Sequence, residues 1–174
     1  MFFIILMLTT FLFSYISYKY FKLVTLIENI DNSYDILNSL LKDRQKILLD
    51  MFNNIKSSKL SNDAKLLLFE LNKVKDIDFI DIEAENKISE LLNKGNFLEF
   101  LEKIIEDSDS VNKTEKLKSL IDLLLNVESK NKESREVYNN LIRDYRKNIN
   151  DFSGRLISKQ FSTLFKSYEY FDNY

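Results

Sequence analysis

The groups that could do chemistry in this chain are few. It contains no His, Cys or Trp, which removes the commonest general base, the thiolate nucleophile and the usual transition-metal ligands. Carboxylates, lysines, arginines and phenols remain. The densest acidic run is Asp76, Asp78, Asp81, Glu83 and Glu85. Such a run could ligate Ca²⁺, but it lacks the glycine and ligand spacing of an EF-hand loop. It falls in a stretch of helical periodicity, where its side chains would point in different directions, and it reads as a solvated face. Tyr138, Asn139 and Tyr145 could form a recognition face, yet tyrosines at helical spacing read more simply as core residues with a wet hydroxyl edge. No two carboxylates are recognisably set for acid and base work. No catalytic residue, metal ligand or cofactor site is therefore assigned, and the chain is expected not to be an enzyme.

The elements that position these groups follow from composition. Pro is absent, Gly occurs only at Gly95 and Gly154, and the chain has 174 residues. With so few breakers and hairpin turns, an all-α fold of one domain's size is expected. Twenty-five basic residues against 27 acidic ones, spread evenly after Lys19, leave no basic face for phosphates, so nucleic acid is not expected as a partner.

Met1 to Tyr18 carries no charged side chain, and Lys19, Tyr20, Phe21 and Lys22 follow. As a helix it would span ~27 Å, close to the ~30 Å of bilayer hydrocarbon. Residues 1–21 are expected to form a transmembrane anchor in the lipid bilayer. A cleaved signal peptide is the rival, but no Lys or Arg precedes the apolar run and no small-x-small site ends it. Lys19 and Lys22 follow the span, so the positive-inside rule puts the N-terminus out and the rest of the chain in the cytoplasm.

Residues 22–153 are expected to form an antiparallel bundle of three long helices with a short connecting helix, followed by a short C-terminal helix or tail, aromatic and basic, 154–174. The first seam runs Leu23, Leu26, Ile30, Tyr34, Leu37, Leu41, Leu48, Met51 and Ile55 in steps of three and four, with Arg44 filling its one gap. No breaker separates it from the anchor, so the two can be one rod. After a turn over Lys56 to Asn62, with Ser61 or Asn62 as N-cap, a second seam from Leu60 to Leu91 predicts one helix of about nine turns ending at Lys94. Asn96 to Glu106 is expected to be a short helix: as a returning helix it would bring the tail back to the bilayer, and as a connector, which its ~17 Å length favours, it puts the tail at the far end. The last long helix has the seam Leu117, Leu120, Leu124, Val127, Asn131, Ser134, Tyr138, Leu141, Tyr145, Ile149 and Phe152, with Gly154 closing it.

Arg44 lies 24 residues beyond Tyr20, and Glu128 lies 24 before Phe152. Polar stretches of the first and last helices should therefore meet. An Arg44–Glu128 ion pair inside the bundle is expected, with Asn131 or Asn38 completing the hydrogen bonds; two solvated surface charges are the alternative. In the tail, Arg155, Lys159, Phe161, Phe165, Tyr168, Tyr170 and Phe171 combine aromatics with cations and are the candidate contact outside the bundle; a tail folded back on the helices is the alternative.

Two blocks resemble the LemA family. The family's Y-x-x-L-V-x-L…E-x-V…A-W…I-D…L-x-x-R pattern is similar to Tyr20, Leu23, Val24, Leu26, Glu28, Ile30, Ser33, Tyr34, Leu37, Asn38, Leu41 and Arg44. Its T-E-N…A-R-x-x-Y-N-x-x-V-R-x-Y-N…I…F-P pattern is similar to Glu128, Arg135, Tyr138, Asn139, Ile142, Arg143, Tyr145, Ile149 and Phe152. Tyr34 stands in place of the family's Trp, Asn38 in place of Asp, Leu49 and Ser153 in place of Pro, and Arg146 in place of the second Asn. The resemblance implies an N-terminal transmembrane helix, a small external N-terminus, a cytoplasmic helical bundle and no established activity. A membrane-anchored scaffold or adaptor for protein partners, a further copy of the chain included, is the expected function; transmission of a signal along the continuous first helix is the alternative.

Overall fold

The computed structural model describes residues 2–55, 62–74, 82–94, 99 and 111–171. The fold is all-α: α1 is Phe2–Asn54, α2 Asn62–Val74, α3 Ile82–Lys94, α4 Val111–Asn150 and α5 Phe152–Gln160. The expected short helix over Asn96 to Glu106 lies outside the described residues apart from Glu99, as do Lys56 to Ser61 and Gly95.

α1 runs unbroken for 53 residues, ~80 Å of helix, because neither Gly nor Pro interrupts it. Its first part is apolar and exposed from Phe2 to Ile16, and it is long and apolar enough to cross a membrane. Thr9 and Thr10 are tolerated there because their hydroxyls donate to the carbonyls of Leu6 and Met7 within the same helix. Beyond Lys19 the helix turns amphipathic. Leu23, Ile30, Leu37, Leu41, Leu48 and Met51 are buried along one stripe, with Arg44 among them.

The chain divides into two compact units. Unit 1 comprises Met1–Asp35 and Glu136–Tyr170. Here α4 runs antiparallel to α1: Tyr34 lies against Tyr138, with ring centroids 6.1 Å apart, and Lys19 pairs with Asp151 at 2.6 Å. Unit 2 comprises Ile36–Arg135 and Phe171–Tyr174. Its apolar core joins Leu48, Met51 and Phe52 of α1 to Leu67 and Leu71 of α2, Ile88 of α3, and Leu117, Leu120 and Leu124 of α4. Each such side chain removed from water stabilises the fold by about 1.5–3 kcal/mol.

Four expectations are corrected. The seam from Leu60 to Leu91 is not one nine-turn helix. Its described residues belong to α2 and α3, which pack on each other, and Lys87 reaches back to Glu70 at 2.6 Å, which a straight helix would hold ~25 Å apart; Leu60, Ile77 and Ile80 lie outside the described residues. In unit 1 α4 runs back along α1, so the tail begins beside Lys19 rather than at the far end. The seam of the last helix also stops early. α4 ends at Asn150, and Phe152, expected inside the core, is 78% exposed as the first residue of α5. Gly154 does not close α4 either; it is buried in the first turn of α5, where a Cβ would run into Asn148 O and the Ile149 backbone.

Candidate functional site

In unit 2 a polar cluster sits on the buried faces of three helices. The Arg44 guanidinium, 0% exposed, comes from the α1 seam. Its Nη2 donates to Glu85 Oε2, and its Nη1 donates to Ser89 Oγ at 3.0 Å and to Glu128 Oε1 at 3.3 Å. Glu85, 2% exposed, accepts a further bond from Gln45 Nε2 at 2.8 Å. A second buried guanidinium, Arg135 of α4, donates Nη2 to Ser89 Oγ at 2.8 Å and lies 5.5 Å from the ring centre of Phe171. One hydroxyl thus accepts from two permanent cations, and two carboxylates balance them.

Arg44 and Glu128 therefore meet at hydrogen-bonding distance, but Glu128 is 36% exposed and the closer, buried partner is Glu85. Asn131 is buried on the same face of α4, and its carboxamide makes no hydrogen bond among the described residues. Asn38 is half-buried on α1.

Of the acidic run read as a solvated face, Asp76, Asp78 and Asp81 lie outside the described residues and Glu83 is exposed, while Glu85 departs from that reading because it is buried against Arg44. Glu85, Ser89 and Arg135 were missed as members of this cluster, although Glu85, Ile88, Ser89 and Leu92 recur at i, i+3, i+4 and i+7 on α3, the spacing of one inward face. Glu70 is a second buried carboxylate, held by Lys87 at 2.6 Å and Lys73 at 3.1 Å. Lys87 first, and Lys73 after it, hold its carboxyl below the usual glutamate range.

In unit 1 the functional candidates are α5 and the segment after it. Asp151 caps α5 by accepting from the Gly154 amide at 2.6 Å and from Ser153 Oγ at 2.9 Å, while it pairs with Lys19. The Lys19 ammonium, then the Gly154 amide, pull its carboxyl down to about 2. Phe161 packs on Tyr20 with ring centroids 5.2 Å apart. Farther along, Tyr145 Oη donates to Lys166 O at 3.1 Å, Tyr168 Oη donates to Asp31 Oδ1 at 3.3 Å, and Arg146 covers the Tyr170 ring at 4.3 Å. Burial pushes the phenols of Tyr138, to about 12, and Tyr145 upward.

Of the tail residues, Tyr168 and Tyr170 are thus engaged within unit 1, and Phe171 is buried in unit 2 at 2% exposure. Phe165 is half-buried, whereas Arg155, Lys159 and Phe161 present surface to solvent. Chemically, the polar cluster joins guanidinium groups to carboxylates and a hydroxyl that are already bonded, an arrangement suited to fixing helix register. Among the described residues no group of three acidic side chains converges as a metal site. Comparison of the chain with family models, with curated proteins and with solved structures gives no match.

Proposed function

We propose that the protein is a membrane-tethered, non-enzymatic scaffold or adaptor of the LemA type, with the N-terminus outside and the helices after the anchor in the cytoplasm. α1 carries this reading. A single helix has an exposed apolar first part, suited to lipid, and a buried stripe in its second part, suited to packing other helices. Exposed apolar residues remain on the packed helices, Phe69 on α2 and Leu123 and Leu125 on α4 among them, and side chains of this kind can receive partner proteins. The residues similar to LemA support the same reading.

The test is a photoactivatable residue placed in turn at Phe69, Leu123 and Leu125 of the full chain in its native membrane. Discrete adducts heavier than the chain are expected, and an adduct of twice its mass identifies a second copy as the partner. Adducts from none of the three positions would sink the scaffold reading.

The unbroken passage of α1 through residues 19–26 favours one second reading, that the rod carries a signal across the membrane. Val24→Pro interrupts the rod within α1. Adducts that survive it support a scaffold, and adducts that disappear while the protein stays in the membrane support transmission.

A further inference from the structure

We propose that α5 is a second membrane contact, an amphipathic helix lying in the lipid interface beside the anchor and binding anionic headgroups; this rests on the reading of the apolar part of α1 as a membrane span.

Position comes first. The start of α5 abuts the last turn of the apolar run: Ser153 Oγ lies 3.5 Å from Tyr15 Oη, and Asp151 is 2.6 Å from Lys19 Nζ. The residue that caps its other end, Phe161, packs on Tyr20. From Ser153 to Phe161 the chain advances ~12 Å as a helix, whereas Tyr15 to Tyr20 covers ~7.5 Å of α1, so α5 is inclined to α1. Both contacts fall where the apolar run ends, which is the level of the lipid interface on that reading.

The surface has the matching chemistry. Ser153, Gly154 and Ile157 face inward. On the opposite side, Phe152 is 78% and Leu156 54% exposed, one turn apart, and Arg155 and Lys159 form the neighbouring exposed row. Interfacial helices combine an apolar row with flanking cations in this way. Tyr18 and Phe21 of α1 are also exposed at this end of the apolar run, and the contacts of Ser153 and Asp151 with Tyr15 and Lys19 bring Phe152 and Leu156 to the same end. Lys19 is neutralised by Asp151, which leaves Arg155 and Lys159 as the exposed cations of α5 for negative headgroups.

The chain has no Trp, so a single Trp reports without background. Phe152→Trp, Leu156→Trp, Phe11→Trp in the span and Phe69→Trp on α2 are placed singly in the full chain, in vesicles of phosphatidylcholine with or without phosphatidylglycerol, carrying lipids brominated near the headgroup end of the acyl chain. Circular dichroism selects variants that keep the wild-type helix content. Quenching at Phe152→Trp or Leu156→Trp is expected to exceed that at Phe69→Trp roughly twofold or more, and Arg155→Gln with Lys159→Gln should reduce it only where phosphatidylglycerol is present. If Phe11→Trp is quenched while both α5 positions respond only to aqueous acrylamide, the inference is overturned and the anchor stands. Blue-shifted α5 emission without lipid quenching means a protein surface covers α5, which also overturns it. If Phe11→Trp itself escapes quenching, the membrane span fails, and the inference with it.

Discussion

Two buried carboxylates face cations in unit 2, and the exposure of those cations decides what each carboxylate is worth. Arg44 is fully buried, and Glu85→Ala leaves it only the partly solvated Glu128 and the Ser89 hydroxyl as partners, so the change is expected to cost about 3 kcal/mol, read from thermal or urea unfolding in detergent micelles. Glu128 is partly solvated and its loss should cost less than about 1 kcal/mol. Replacing both members, Arg44→Leu with Glu85→Leu, should recover most of the loss, since a buried pair returns little more than its desolvation costs. Lys73 and Lys87, by contrast, are 51% and 49% exposed. They can turn into solvent when Glu70 is removed, and Glu70→Leu should cost less than about 1 kcal/mol by the same measurement. A Glu70→Leu variant as damaged as Glu85→Ala would refute the distinction. Arg44 was legible in the sequence because it interrupts a regular apolar seam. For Glu85 the spacing with Ile88, Ser89 and Leu92 marks only the inward face of α3; which group it meets there is set by how α3 packs on α1.

At the level of elements, the corner between α4 and α5 is built by Asp151 and Gly154. Asp151 caps α5 and pairs with Lys19, which holds its carboxyl at about 2, below the ordinary value of 3.8. A depressed carboxyl lends stability that is fully present above its unfolded value and is lost as protons return. α5 amides, corrected for intrinsic exchange, should therefore keep their protection above about pH 4 and lose it progressively toward about pH 2. Lys19→Met should move the Asp151 midpoint, followed by carboxyl NMR, up toward the ordinary value; an unchanged midpoint would discard the ion pair as its cause. Gly154→Ala should destabilise by about 1–3 kcal/mol, because the new methyl meets backbone of α4 that cannot yield, whereas at an open helical site the same change stabilises. The sequence placed Gly154 at a helix end through the usual capping preference of glycine. Close approach of two backbones selects the same residue, and only the packing of α5 on α4 tells the two apart.

For the whole molecule, the helical class and α1 were legible because an uncharged run and a three-four seam need no tertiary information. The α2 and α3 hairpin was not, since a seam continues in the same register whether its helix is straight or folded, and no Pro or Gly stands between Val74 and Ile82. The run of α4 back along α1 in unit 1 governs which charges lie near the anchor. Lys19 and Lys22 were the only cations weighed at the end of the span, and the return of α4 adds Arg155 and Lys159 on the same side. Lys19 is paired with Asp151, so on the proposed topology Lys22 and the two α5 cations are the charges that would hold this end of the span at the cytoplasmic, anionic leaflet. The chain has no Cys, and single cysteines therefore report topology directly. Phe2→Cys should react with a membrane-impermeant maleimide on intact cells, and Leu125→Cys, on an exposed site of α4, should react only after permeabilisation. The opposite pattern would place the packed helices outside. Arg155→Glu with Lys159→Glu should raise the fraction of chains in which Leu125→Cys is labelled on intact cells, whereas an unchanged fraction would leave orientation to the residues flanking the span alone.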